Sequence, residues 1–242
     1  MIPLTFSSTD DNLEFVRFDT LSDKERLIIG NSWDNPFNAR YNHMRDPYGS
    51  VNEIATYEEP PLKDNYFRVV RKKDTQEIVG TCRFGKYHAA TDNNTWDFGF
   101  NILLRHWFNG YGAEILRTII ELAKKEKVKT IIGGADIENF GSYKAMVKNG
   151  FQYDDVDNMG DYRYILDVKS HTPPTQQQIK DRWDNHMAMA KKDLGEKKVQ
   201  LLEYINKEIF KLVQEIKAGG NEIALTKAYY DKLSELEPFK FS

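Results

Sequence analysis

The stretch from Trp96 to Lys127 places the strongest constraint on the fold. Apolar, mostly aromatic residues alternate with other residues from Trp96 to Leu104, which predicts a half-buried strand. A turn containing Gly110 and Gly112 follows. Apolar residues then recur at helical spacing up to three lysines, which predicts a helix with a basic C-terminus: Ile115, Leu116, Ile119, Ile120, Ala123, then Lys124, Lys125 and Lys127.

A glycine turn between a strand and a helix can hold a phosphate group. The first turn of a helix has backbone N–H groups without partners, and its dipole favours negative charge. Glycine lets an anion approach these amides, since a side chain would keep it at a distance. Two interpretations of Gly110 and Gly112 stay open: a phosphate-binding turn, or an ordinary strand–helix connection.

Composition excludes several classes of partner. The 242 residues include 34 basic and 37 acidic ones, so no basic excess indicates a nucleic-acid groove or an anionic membrane surface. The single cysteine, Cys82, cannot form an internal disulfide, as expected in a reducing compartment. The sequence has neither an apolar run of membrane-spanning length nor a signal peptide, and its five histidines lack ligand spacing. We therefore expect a soluble cytoplasmic protein without a metal.

Strand patterns precede the turn. Leu13 begins an alternating strand, and Ser22 with Glu25 forms a predicted capping box for the next helix. From Trp33 to Tyr57 the chain lacks periodicity and is rich in aromatic residues and arginine, so it is either a packed lid or a binding wall. Residues 66–71 and 78–84 read as a β-hairpin.

Further elements follow the predicted helix. We expect a strand over residues 129–135, a short helix from Asn139 to a glycine cap at Gly150, and a final hairpin from Phe151 to Val168. A dinucleotide-binding fold would require a third glycine and a parallel βαβ unit. The element order instead predicts an α+β fold with a mixed, mainly antiparallel sheet flanked by helices.

The sequence changes character at Pro173 and Pro174, so we divide it into a domain over residues 1–170 and an extension over 171–242. The extension predicts two antiparallel helices separated at Gly219 and Gly220. A hairpin is too narrow to form its own core, so its apolar stripe must pack against its own domain or against a second copy. Of these alternatives we prefer a homodimer.

Two motifs carry a resemblance to a known family. The first is the sequence Trp107-Phe108-Asn109-Gly110-Tyr111-Gly112-Ala113-Glu114, and the second combines Asn139 and Ser142 with Gly150-Phe151. Their order resembles the GNAT superfamily of acyl-CoA-dependent N-acyltransferases, and within it the ribosomal-protein N-terminal acetyltransferases. The resemblance covers about residues 10–168.

The resemblance implies an N-acetyltransferase that moves an acetyl group from acetyl-CoA to a primary amine of a protein N-terminus, a peptide or a small molecule. It places the pantetheine beside the central strand and the pyrophosphate on the turn. The implied cofactor-binding residues all precede Phe151, so we expect residues 1–170 to keep the cofactor-binding turn when the extension is removed. The implied residues are Asn101, Ile102, Trp107, Phe108, Asn109, Gly110, Tyr111, Gly112, Ala113 and Asn139.

The resemblance also implies catalytic roles. Asp97 is the candidate general base, acting through water, with Asp136 and Glu138 as further candidates; otherwise Asp97 is an ordinary exposed aspartate. Ser142 would point its hydroxyl at the cofactor sulfur, unless it only satisfies helix N–H groups. Asn139 is a helix N-cap, a pantetheine contact, or both. Tyr143 is a substitute acid, and Cys82 is expected in the core.

Four residues depart from the family pattern. Phe108 and Asn109 stand where the family has Gly-Lys, Val147 stands where a charged residue is usual, and Met146 stands where other branches have a tyrosine acid. These departures leave a second function open, that of a CoA-binding or degenerate domain with a scaffold or regulatory role through its C-terminal helices.

Overall fold

The computed structural model describes residues 2–40, 65–87, 90, 94–157 and 160–236. Eight strands form one sheet in the order β1-β2-β3-β4-β5-β6-β8-β7, in which only the β5–β6 pair is parallel. This mixed, mainly antiparallel sheet with flanking helices confirms the predicted fold class. The strands are β1 (Phe6–Ser7), β2 (Leu13–Val16), β3 (Asn65–Lys72), β4 (Ile78–Lys86), β5 (Thr95–Ile102), β6 (Thr130–Ala135), β7 (Gln152–Val156) and β8 (Tyr162–Asp167).

Of the helices described within the first 170 residues, the first and the fourth have the predicted capping signals, and the short second helix was not predicted. The side chains of Ser22 and Glu25 form the expected capping box at the first helix. Gly150 has a φ of +90° and closes the fourth helix, where the N–H of Phe151 donates to the carbonyl oxygen of Met146. These helices are α1 (Asp23–Trp33), α2 (Pro36–Ala39), α3 (Tyr111–Lys125) and α4 (Phe140–Lys148).

The aperiodic segment from Trp33 to Tyr57 is described only in its first part. It contains the short helix α2, whose N-cap is the side chain of Asn35. The ring of Trp33 packs edge-on against Phe67, so the beginning of the segment belongs to the core. The rest of the segment lies outside the described residues, together with its aromatic and basic residues Tyr41, His43, Arg45 and Tyr48.

The main core lies between the sheet and helices α3 and α4. Apolar residues of α3 such as Ile115, Leu116 and Ile119 are fully buried against β4, β5 and β6. Cys82 is buried in this core, as expected, and burial raises the pKa of its thiol to about 12. Its thiol therefore remains protonated and behaves as a small apolar side chain.

The C-terminal extension is helical, as predicted, but the helix expected to run as far as Gly219 is interrupted. Gly195 has a φ of +85° and separates α5 (Gln176–Leu194) from α6 (Glu196–Lys217). After the predicted break, α7 (Glu222–Leu236) folds back on α6. Sequence periodicity missed the break because apolar residues continue at helical spacing on both sides of Gly195.

The apolar stripe of the extension is covered by the chain itself. Ile205, Ile209 and Leu212 of α6 are at most 1% exposed and pack with Phe37 and Leu104 of the first 170 residues. The extension thus packs against its own domain, which was the less favoured of the two alternatives. The stripe accordingly gives no reason to expect a dimer, and a homodimer stays a prediction.

Helix α5 joins the extension to α4 through aromatic rings. His186 is fully buried, its ring lies 4.3 Å from that of Tyr143, and its Nδ1 is 3.0 Å from the hydroxyl of Tyr164. Trp183 packs edge-on against Phe140 at the beginning of α4. In the part of the chain that the structure describes, no helix is long and apolar enough to cross a membrane.

Candidate active site

A cleft opens where β5 and β6 separate. The parallel pairing ends at Asp97 and Ile132, although β4 continues to pair with β5 as far as Ile102. The next residue of β5, Phe98, lies against the backbone of Gly133 in β6. A Cβ at Gly133 would lie 2.3 Å from the Phe98 ring, so only glycine fits where the strands diverge.

Another glycine shapes the far side of β5. A Cβ at Gly80 of β4 would lie 2.1 Å from the carbonyl oxygen of Asn101. Any side chain at Gly80 would therefore displace the backbone of β5. The last residue of β5, Ile102, accepts a hydrogen bond at its carbonyl oxygen from the indole N–H of Trp107 at 2.8 Å, which fixes the start of the turn.

The cleft has a volume of about 320 Å³. Its lining comes from the end of β5, the following turn, the first turn of α3 and the length of α4 from its N-cap to Lys148, with one residue from α2 and one from α6. The lining includes Asn38, Asn101, Ile102, His106, Trp107, Phe108, Gly110, Tyr111, Gly112, Ala113, Asn139, Ser142, Lys144, Lys148 and Asn206.

Helix α3 points its N-terminus into this cleft. Gly110 is the N-cap, adopts a φ of +84° and has space around it, since a Cβ there would meet nothing within 4 Å. No side chain caps the helix. Within the described part of the chain, the first-turn amides of Tyr111 and Gly112 therefore remain available to an anion.

Two of the residues that depart from the family pattern, Phe108 and Asn109, contact α6. Phe108 adopts a φ of +64°, a left-handed conformation that is rare for an aromatic residue. Its ring packs edge-on against Phe210 of α6, with the centroids 5.3 Å apart. Asn109 accepts a hydrogen bond at Oδ1 from the ammonium group of Lys217, at 2.9 Å. Phe108 lines the cleft and Asn109 does not.

Helix α4 presents its N-terminus to the same cleft. Asn139 is its N-cap, and its Oδ1 accepts a hydrogen bond from the backbone N–H of Ser142 at 3.1 Å. Both residues line the cleft. The capping interpretation thus holds for Asn139, which also lines the cleft. Ser142 is not the cap, and its hydroxyl forms no hydrogen bond with the described residues.

The candidate bases occupy three different environments. Asp97 lies outside the cleft lining and forms a bidentate ion pair with Arg83 of β4, at 2.9 and 3.1 Å. Asp136 accepts a hydrogen bond from the backbone N–H of Glu138. Glu138 forms ion pairs with Arg40 and with Lys198 of α6, and these cations hold the pKa of its carboxyl below its usual value.

Glu138 is therefore a structural ion-pair partner and a poor proton acceptor. Tyr143 is also unsuited to its suggested role as an acid. Its side chain is buried, its hydroxyl bonds to the backbone of Ala135 and Tyr162, and burial raises its pKa well above the usual value.

A buried histidine closes the inner end of the turn. His106 is 4% exposed, its ring packs edge-on against Tyr111, and its Nε2 lies 3.3 Å from a carboxylate oxygen of Glu77. Burial lowers the pKa of His106 to about 4 in spite of the nearby carboxylate. At neutral pH this cleft residue is therefore uncharged.

The cleft residues fit a CoA thioester. The free amides of α3 suit phosphate groups, and the lysines Lys144 and Lys148 add positive charge to the wall. The Nδ2 of Asn101 is buried without a hydrogen-bond partner in the described part of the chain. This donor could therefore bond to an acceptor of a bound ligand. Among the described residues, no group of three or more side chains could hold a metal ion.

A split mixed sheet with two helix N-termini facing the gap defines a class of CoA-dependent acyltransferases. The match of residues 12–152, more than half of the chain, to the model of the acetyltransferase (GNAT) domain assigns the family. The chain belongs to the GNAT acetyltransferases, and its co-substrate is acetyl-CoA.

Known proteins resemble parts of the chain. The uncharacterized N-acetyltransferase YoaA of Bacillus subtilis is 28% identical over 89 residues, which are 36% of this chain and 49% of YoaA. The chain thus matches about half the length of this curated relative.

Solved structures share the fold. RimJ of Mycobacterium smegmatis in complex with CoA-disulfide has a TM-score of 0.55 at 11% identity, covering 70% of this chain and 88% of RimJ. The ribosomal-protein-S5-alanine acetyltransferase of Vibrio fischeri has a TM-score of 0.52 at 15% identity, covering 71% of this chain and all of that chain.

Several cleft residues were not identified from the sequence. Lys144 and Lys148 lie four residues apart on α4, so their helical spacing was a usable signal. Asn38 and Asn206 gave no signal, since they are distant in sequence and reach the cleft only through packing. Because Asn206 belongs to α6, the extension contributes one residue to the cleft wall, and the expectation that residues 1–170 alone keep the cofactor turn stays a prediction.

Proposed function

We propose that this GNAT acetyltransferase transfers acetyl groups to a primary amine of a protein N-terminus, a peptide or a small molecule. The observation that carries the proposal is the cleft that joins the free edge of β5 to the N-termini of α3 and α4. A thioester ligand can lie along this edge with its phosphates at α3 and its sulfur near α4. The likeness to ribosomal-protein acetyltransferases supports a protein N-terminus as acceptor.

The turn and the strand edge would bind the nucleotide and the pantetheine. The amides of Gly110, Tyr111 and Gly112 would donate hydrogen bonds to the pyrophosphate. Asn101 and Ile102 would pair with the amides of the pantetheine, as a neighbouring strand does. Acetyl-CoA supplies the acetyl group as a thioester.

Ser142 and Asp97 would handle the protons. The Ser142 hydroxyl, at the beginning of α4, would donate a proton or a hydrogen bond to the leaving sulfur. Asp97 would accept the amine proton through a water molecule, while its bidentate pair with Arg83 orients the carboxylate. Gly99 lies two residues after Asp97 on the same face of β5, and a Cβ at Gly99 would meet nothing within 4 Å. An acceptor amine would therefore have space beside Asp97.

The second candidate is a CoA-binding domain without turnover. The observation that favours it is the unusual turn, where Phe108 takes a left-handed conformation and no lysine or arginine lies between Trp107 and Ala113. In this case the C-terminal helices would give the domain a scaffold role.

The deciding experiment measures binding and turnover separately. Calorimetry gives the Kd of acetyl-CoA, and thiol release with mass spectrometry detects transfer to peptides with free N-termini, to lysine side chains and to small amines. The matched control is each peptide with its N-terminus already acetylated. Transfer to free but not blocked N-termini is the expected result. Tight binding without thiol release for any amine would support the second candidate.

A further inference from the structure

Helix α6 is fixed against the turn that precedes α3. Ile209 and Leu212 of α6 pack with Leu104 in one buried cluster, and Phe210 packs on the ring of Phe108. Asn206, one turn earlier, lines the cleft. The extension therefore forms part of the wall next to the turn, and side chains from the same face of α6 reach it.

Lys217, at the end of α6, brings a positive charge to this turn. Its ammonium group donates a hydrogen bond to Oδ1 of Asn109, which directly precedes the N-cap Gly110. In the described part of the chain, no carboxylate pairs with Lys217. The neighbouring cations differ, because Lys72 pairs with Glu77 and Arg105 pairs with Glu222.

The charge of Lys217 lies in a setting that an anion would stabilise. Partial burial and the like charge of Lys72 lower the pKa of its ammonium group. The turn from Trp107 to Ala113 contains no lysine or arginine of its own. A phosphate held by the amides of α3 would thus lie next to Asn109, whose side chain accepts a hydrogen bond from the ammonium group of Lys217.

We propose that Lys217 balances the phosphate charge of acetyl-CoA at the turn, so that the C-terminal extension is part of the coenzyme-binding site. The proposal rests on the proposed placement of the phosphates at Gly110–Gly112. Asn109 orients the ammonium group, and the packing of α6 positions the lysine. The extension then has a binding role in addition to its role in covering apolar surface.

The test compares three variants of α6. Lys217→Gln removes the charge, Lys217→Arg retains it, and Lys197→Gln removes an exposed lysine from the other end of the same helix. Both positions are at the surface, so thermal melting should show unchanged folding for all three variants. The ligands are coenzyme A and dephospho-coenzyme A, with Kd measured by calorimetry at two salt concentrations.

We expect Lys217→Gln to raise the Kd for coenzyme A by about 5–30-fold and to weaken its salt dependence. Lys217→Arg should remain within about threefold of the parent because it retains the charge. Lys197→Gln should also remain within about threefold, since an exposed charge far from the ligand contributes little. An equal loss for dephospho-coenzyme A assigns Lys217 to the pyrophosphate, and a smaller loss assigns it to the 3′-phosphate.

Either assignment supports the proposal. Equal affinities of the parent, Lys217→Gln and Lys197→Gln would overturn it while leaving the proposed function intact. A parent protein that does not bind coenzyme A would overturn the proposed function and this inference together.

Discussion

Replacing Gly110 by aspartate should abolish coenzyme binding without unfolding the protein. A Cβ at Gly110 meets no atom within 4 Å, so the new side chain causes no clash. The φ of +84° adds a backbone cost of about 1–2 kcal/mol for an ordinary residue, and less for aspartate or asparagine. The larger effect is electrostatic, because a carboxylate would lie beside the bound phosphates.

The magnitude follows from Coulomb's law. Two like unit charges about 5 Å apart repel by about 3 kcal/mol at an effective dielectric constant of about 20, which corresponds to more than a 100-fold loss of affinity. Gly110→Asn is the matched control, since it has the same backbone cost and nearly the same shape but no charge.

The assay is calorimetric titration of the parent, Gly110→Asp and Gly110→Asn with coenzyme A, together with thermal melting of each. We expect Gly110→Asn to retain most of the affinity and Gly110→Asp to lose it. Equal affinities for the two variants would refute the placement of the phosphates at the N-terminus of α3.

Four further perturbations test the rest of the site and the fold. Ser142→Ala should lower kcat by about 10–1000-fold with a small change in the Kd of acetyl-CoA; an unchanged kcat would restrict Ser142 to a structural role. Asp97→Asn should lower kcat/KM by about 100–10,000-fold, whereas Arg83→Gln, which keeps the carboxylate, should lower it by less; an Asp97→Asn variant as active as the parent would exclude Asp97 as the base. Leu212→Ala should lower the free energy of unfolding by about 2–5 kcal/mol in urea titration, because Leu212 is fully buried; a loss below about 1 kcal/mol would contradict that packing. Burial lowers the pKa of His186 from 6.5 to about 4, so on acidification the unfolded chain takes up a proton on this ring before the folded protein does. The free energy of unfolding therefore decreases as the pH falls from about 6.5 to 4. His186→Phe should reduce that fall by up to about 3 kcal/mol in unfolding measured at each pH, and an unaltered slope would contradict the assignment.

Local signals in the sequence predicted most of the first 170 residues. Ser22 and Glu25 form the capping box, Gly150 ends α4, and the hairpin pattern from Tyr66 to Phe84 gives β3 and β4. These signals succeed because caps, turns and alternation depend on residues only a few positions apart.

The family resemblance, and not local signals alone, implied the cofactor-binding residues. All predicted cofactor-binding residues except Asn109 line the cleft, and most of them come from the continuous stretch Asn101–Ala113. Asp97 lies four residues before this stretch on β5 and is outside the lining, where it pairs with Arg83. Its contribution to the reaction stays a prediction.

Patterns in the sequence were enough to predict the mixed sheet, the glycine turn, the capped helices and the apolar stripe of the extension. The surface that this stripe packs against is visible only in the tertiary structure. The tertiary structure ended α5 at Gly195, placed α6 against Leu104 and Phe108, and brought Asn206 and Lys217 to the cleft and its turn. The physical reason is that burial of apolar surface has no direction, so periodicity shows that a helix face must be covered and not what covers it.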